Sequence, residues 1–171
     1  HVLNSRGQVT QVTDEEGRVT DYTYADTGPE RGYLTQTAVH PTPTTTEATT
    51  FVHDELGRLL SRTEPWGGIT TSVWNTRDLK DRVTSNDGSS VTMTYDANAR
   101  LASMLIPNRG VDGSSLGGPA AYLTIYTYEV RGFRTSTTNQ VSTSQFVTRN
   151  DTWSPLGDVR DVQDANGNIT R

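Results

Sequence analysis

Hydrophobic and aromatic residues recur at alternate positions along this chain. Val91, Met93 and Tyr95 form one such set and Tyr122, Thr124 and Tyr126 another, the latter interleaved with Leu123, Ile125 and Thr127. A period of two places each set on one face of a β-strand. No segment sustains the i, i+3, i+4, i+7 pattern of an amphipathic helix. Threonine is the commonest residue, with 29 copies, while Lys80 is the only lysine. Threonine is β-branched, stiff at χ1 and suited to a pleated, half-wet surface. The pattern predicts an all-β chain.

Superimposed on the alternation is a repeat of the form Asx-x-x-Gly, then a polar residue or Arg, then Val, Leu or Ile. It reads Asn4-Ser5-Arg6-Gly7-Gln8-Val9, Asp14-Glu15-Glu16-Gly17-Arg18-Val19, Asp54-Glu55-Leu56-Gly57-Arg58-Leu59 and Asp164-Ala165-Asn166-Gly167-Asn168-Ile169. Looser copies start at Glu64, Asp96, Glu129 and Ser154. Gly7 to Gly17, Gly57 to Gly67 and Gly157 to Gly167 are each 10 residues apart, and Gly67 to Asp78 is 11. That period leaves a tight turn and a strand of about 6 residues. The leading Asp or Asn can bond its own backbone two residues on, and Gly supplies a positive φ without a Cβ clash. Successive strands are then antiparallel hairpins in a long meander, with turns along both edges. The turn positions singled out are Asp14, Gly17, Arg18, Asp54, Gly57, Arg58, Gly67, Asp96, Arg100, Gly132, Gly157, Asp164 and Gly167. Arginine just after the turn, at 18, 58 and 100, suggests a ladder joining carboxylates and guanidinium groups of neighbouring hairpins.

Tyr95-Asp96-Ala97-Asn98-Ala99-Arg100-Leu101, with Phe51 to Leu59 and Tyr22-Thr23-Tyr24, resembles the YD repeat of Rhs-type proteins. That family includes the C component of bacterial insecticidal toxin complexes and the extracellular shell of teneurins. The resemblance covers nearly the whole chain. It departs from the pattern at Asp78 and Ala99, where Gly is usual, and at Val52-His53, where Tyr is usual. It implies a hairpin strip coiled into a spiral β-shell, which encloses a C-terminal cargo polypeptide, often a toxin, or serves as a scaffold outside the cell. Expected partners are adjacent YD repeats of the same or a neighbouring chain and the enclosed cargo. The self-cleaving activity of such proteins goes with an Asp-Pro-x-Gly signature that does not occur here.

Two stretches break the rhythm and read as insertions near 25–50 and 107–119. The first holds a turn cluster, Gly28 to Gly32, and a Pro/Thr hairpin tip at Pro41 to Thr46, between strands near Tyr33–His40 and Ala48–His53. The second, with Gly110, Gly113, Gly117 and Gly118, has no strand pattern and reads as a surface loop. Thr135 to Thr148 reads as a polar hairpin. No linker separates domains, so residues 1–171 form a single segment. Its ends, His1 and Arg171, suggest a piece of something longer.

Composition narrows the function. Hydrophobic residues make up 32% and mean hydropathy is −0.63, thin for a compact core but adequate for a sheet one layer thick. The net charge of −5 argues against a general nucleic-acid binder. No stretch approaches the ~20 apolar residues of a membrane span. The absence of Cys excludes disulfides and thiolate chemistry.

Chemistry is scarce. His1, His40 and His53 are scattered and carry no metal spacing. His53, Asp54 and Ser61 have the residue types of a triad, but strand alternation gives them no reason to converge. Gly110 to Gly118 lacks the Gly-Lys-Ser/Thr ending of a phosphate loop. Asp164 to Asn168 lacks the glycine and distal Glu of a calcium loop. Asn150-Asp151-Thr152 and Asn168-Ile169-Thr170 are formal glycosylation sequons, of consequence only in a eukaryotic source. Trp66, Trp74 and Trp153 read as cross-strand partners. No catalytic residue, metal or cofactor is expected. The leading expectation is a non-enzymatic wall segment of a secreted or cell-surface bacterial shell. The rival is an extracellular module that polymerises through edge strands into a tube or filament, or binds glycans through exposed aromatics.

Overall fold

The computed structural model describes residues 1–42, 44–109, 114 and 116–170. Gly110 and Gly113 of the second expected insertion lie outside the described residues. Among those described there is no helix. Fifteen strands run in chain order in one antiparallel sheet. They are β1 (Val2–Leu3), β2 (Val9–Thr13), β3 (Val19–Tyr24), β4 (Leu34–Thr42), β5 (Thr45–His53), β6 (Leu59–Thr63), β7 (Ile69–Trp74) and β8 (Lys80–Thr84). After them come β9 (Ser90–Tyr95), β10 (Leu101–Pro107), β11 (Ala121–Tyr128), β12 (Arg134–Gln140), β13 (Phe146–Trp153), β14 (Val159–Gln163) and β15 (Ile169–Thr170).

The chain divides into two compact units, one of residues 1–73 with 84–86, the other of 74–83 with the chain from Asp87 on. In the first unit the 25–50 stretch holds a turn region at 25–33 and then the expected hairpin, whose strands are longer than the sequence suggested. β4 and β5 are nine residues each and pair through Ala38 and Ala48 up to Thr42 and Thr45. In the second unit, β12 and β13 form the Ser/Thr-rich hairpin, with Thr138 opposite Thr148. Asn108 holds the described base of the 107–119 insertion, its side-chain amide donating to the carbonyls of Gly117 and Pro119.

No hydrophobic residue is buried among those described. Each strand instead divides its residues between two half-covered faces. In the second unit Met93 faces Met104, which is followed across the sheet by Thr124, and Tyr122, Tyr126 and Tyr128 share that face. The opposite face carries hydroxyl pairs: Thr94–Ser103 at 2.7 Å, Thr127–Ser136 at 2.7 Å and Thr138–Thr148 at 2.9 Å. Paired hydroxyls let threonine serve on a sheet with no second layer, since each donor finds an acceptor across the strand.

Candidate functional site

The candidate site is the set of turns. In each regular turn the first residue's N–H donates to the fifth residue's carbonyl, and the fourth N–H donates to the first carbonyl. At Asp54 to Arg58 both distances are 3.0 Å. The fourth residue is left-handed, as at Gly57 with φ +81°. This is a type I turn closed by a bulge, which needs a positive φ at one position. Gly67, Gly132, Gly157 and Gly167 occupy the same position in their turns, as do Asp78 and Ala99.

The leading Asx closes the turn from its side chain. Asp54 Oδ1 accepts the N–H groups of Leu56 and Arg58 at 3.0 Å, and Oδ2 accepts Arg58 Nε at 2.6 Å. Asp14 with Arg18 and Asp96 with Arg100 repeat all three contacts. Asp164 substitutes the Asn168 side-chain amide, at 2.8 Å, for the guanidinium. The Arg18 guanidinium and then its N–H hold Asp14 below the usual carboxylate value. At Asp54 burial pushes upward and is the largest single influence. The N–H and guanidinium of Arg58, with the Leu56 N–H, together outweigh it and leave the carboxyl lowered. Asp96 is lowered chiefly by the Arg100 N–H, and Asp164 chiefly by the Asn168 side chain.

These pairs differ from the ladder expected between neighbouring hairpins. Arginine at the fifth position closes on its own turn, because a four-residue separation around a tight turn brings fork and carboxylate together. Rungs between turns exist, but they run mainly from side chains to backbone carbonyls. In the first unit Gln8 Nε2 donates to Gly32 O at 2.9 Å, and Arg6 lies 3.8 Å from the Asp26 carboxylate. In the second, Arg77 donates to Asp96 O at 2.8 Å, Arg100 to Glu129 O at 3.0 Å, and Arg131 to Ser154 O at 3.0 Å. Each rung joins one turn to the next turn on the same rim.

Within each unit the two rims differ, a feature that the sequence reading missed. In the first unit Tyr24 and His53 stand directly before turns of one rim, whereas Thr13 and Thr63 precede turns of the other. In the second unit the corresponding residues are Trp74, Tyr95, Tyr128 and Trp153 on one rim, against Gln140 and Gln163 on the other. The aromatic tips reach back to the strand that leaves the preceding turn on their rim. Tyr24 donates to Val9 O at 2.9 Å, Tyr95 to Lys80 O at 2.7 Å, Tyr128 to Leu101 O at 2.8 Å, and Trp153 Nε1 to Arg134 O at 2.7 Å. Register shifts fall beside the aromatics at Thr23/Tyr24, Val52/His53, Thr127/Tyr128 and Thr152/Trp153. A bulge re-aims a side chain and sharpens local twist, which suits a ring that must cross to another strand. The signal was present as a doubled period: His53, Trp74 and Tyr95 are 21 residues apart (74 − 53 and 95 − 74).

Ser61 lies opposite Val52, so His53 points to the other face and no triad forms. The Asp164 oxygens receive three donors from Asn166 and Asn168, engaging the oxygens that a calcium loop would offer. No group of three metal-ligating side chains occurs among the described residues, and no described helix is long and apolar enough to cross a membrane. In each unit the arrangement can hold a one-layer strip together along its aromatic rim.

The fold is similar to that of chains found in Tc toxin complexes. Over 97% of its length this chain matches a chain of the Photorhabdus luminescens Tc holotoxin pore, with a TM-score of 0.76 at 15% identity. It also matches the TcdB2-TccC3 crystal structure over 93% of its length, with a TM-score of 0.53 at 12% identity. The chain spans 9% and 12% of the lengths of those two chains. No family model matches the sequence, and no curated protein does.

Proposed function

We propose that residues 1–171 are one YD-repeat wall segment of a longer Rhs-type bacterial protein, secreted or carried at the cell surface. The wall encloses a C-terminal polypeptide cargo such as a toxin and performs no catalysis itself. One observation carries this reading: a sheet in chain order, with no buried apolar residue among those described, matches a chain of a Tc holotoxin pore over 97% of its length. A sheet without a core suits a wall, because a wall needs continuous backbone bonding more than a packed interior. Containment then follows from the ladder itself, whose backbone groups are paired strand to strand and whose aromatic rim is tied turn to turn within each unit. The adjacent partners are further YD repeats, joined through the same hydrogen-bond ladder. Electron microscopy of the native, uncleaved particle tests this. A closed hollow shell with internal density is expected, and a long tube or fibre of repeated segments would overturn the proposal.

A further inference from the structure

In a sheet with no buried apolar side chain, the one buried polar or charged residue among those described is a carboxylate, Asp151, only 4% exposed. It sits on β13 two residues beyond Arg149, on the same face, and Arg149 lies opposite Thr137 of β12. Arg149 Nε donates to Asp151 Oδ1 at 2.9 Å, and Arg134 Nη2 reaches Oδ2 at 3.5 Å. Trp153, on the same face, anchors the start of β12 through Arg134 O and stacks on Phe133, with ring centroids 5.0 Å apart.

One carboxylate thus holds two guanidinium groups, leaving a net positive patch on a chain of net charge −5. Arg134 Nε and Thr137 Oγ1 are buried with no hydrogen-bond partner. A buried donor left unmade is costly and calls for an acceptor. Both arginine side chains keep about half their surface open, 42% and 53%. A planar fork with free N–H groups matches a carboxylate in bidentate fashion. Tyr126, opposite Thr137, and Trp153 flank the pair, and tyrosine, tryptophan and arginine are the residues enriched where proteins bind proteins.

We propose that this face of β11–β13 binds acidic side chains of a polypeptide. Arg134 and Arg149 take the carboxylate, and Asp151 acts as the positioning residue that aims them. This rests on the wall reading only in identifying that polypeptide as the enclosed cargo.

The test follows the arginine Nε–H and Trp153 indole resonances of the whole chain during titration with an end-blocked hexaglutamate peptide. Hexaglutamine and inorganic phosphate serve as comparison probes. Saturable shifts at Arg134, Arg149 and Trp153 are expected with hexaglutamate, weakened at least tenfold in Arg149→Gln and in Arg134→Gln. Unchanged amide dispersion in each variant shows that it has folded. Asp151→Asn keeps the shape and releases the forks, and is expected to weaken binding although it makes the patch more positive. A structural ion pair alone would not bind the peptide. Absence of shifts, equal affinity for phosphate or hexaglutamine, or full binding by Arg149→Gln would each overturn the proposal. Electron microscopy judges the wall reading separately, so a closed shell without hexaglutamate binding would leave that reading standing.

Discussion

Gly57→Ala and Gly17→Ala separate two constraints that the turns impose on one residue type. Both positions are left-handed, with φ +81° and +82°. An L-residue there costs about 1–2 kcal/mol, and the same sheet accepts that conformation at Ala99, with φ +64°. The surroundings differ. A Cβ at position 17 meets nothing within 4 Å, whereas one at position 57 lies 2.9 Å from Cζ of Tyr33. Tyr33 closes the preceding turn on the same rim and its ring would have to move, a packing penalty of about 1–3 kcal/mol. Gly17→Ala should therefore cost only the backbone term, and Gly57→Ala should cost both. The assay is hydrogen exchange of the turn amides, because two compact units make a global melt an unsafe two-state measure. Exchange at the altered Asp54 turn should rise roughly 5- to 150-fold more than at the altered Asp14 turn, at about 1.4 kcal/mol per decade. In a Tyr33→Ala background the excess should vanish, which is the coupling expected of residues in contact. Equal effects at both turns, or an excess that persists without Tyr33, would refute stacking of one turn on the next.

Acid should loosen the turns. Asp14, Asp54, Asp96 and Asp164 have folded values lowered from 3.8, so their contribution is fully present above about 3.8 and is lost as pH falls through the lower folded values. Carboxyl carbon titration by NMR reads this directly, and midpoints at or above 3.8 would count against it. Tyr128→Phe removes the bond to Leu101 O and should destabilise the second unit by about 0.5–1.5 kcal/mol. Faster exchange confined to β10 and β11 is the expected signature; no change would show that the ring alone anchors the rim. Arg100→Lys keeps the charge but loses the fork that serves both Asp96 and Glu129 O. Exchange should rise in the turns at 96–100 and 129–133 together, whereas Arg18→Lys should affect only its own turn.

How far the structure can be read from the sequence depends on the range of each interaction. The strands and turns follow from residues within five positions of one another. Asp54, Gly57 and Arg58 contain their own geometry, since Asx capping, a positive φ and a four-residue ion pair are local. The two rims are not local. A hairpin meander returns to the same rim only every second turn, so a search at 10 or 11 residues averages aromatic and non-aromatic turns together. Only at 21 residues do His53, Trp74 and Tyr95 align. The aromatic at 128 falls outside that count because the 107–119 insertion lengthens the interval before it. Asp151 is harder still. Its meeting with Arg134 depends on the register of β12 against β13, set by a connection at Val141 to Gln145 that contains no glycine and lacks the repeat's signature. A shift of one residue there would send Asp151 to the hydroxyl face, with Arg149 beside it on the same strand but away from Arg134. The ordinary turns therefore explain how the strip holds its strands, while the one buried charge among the described residues lies in a hairpin whose connection lacks the repeat's signature. A strip built from near-identical hairpins offers the same surface at every step. A distinct binding face needs a break in the repeat, and the β12–β13 hairpin supplies one.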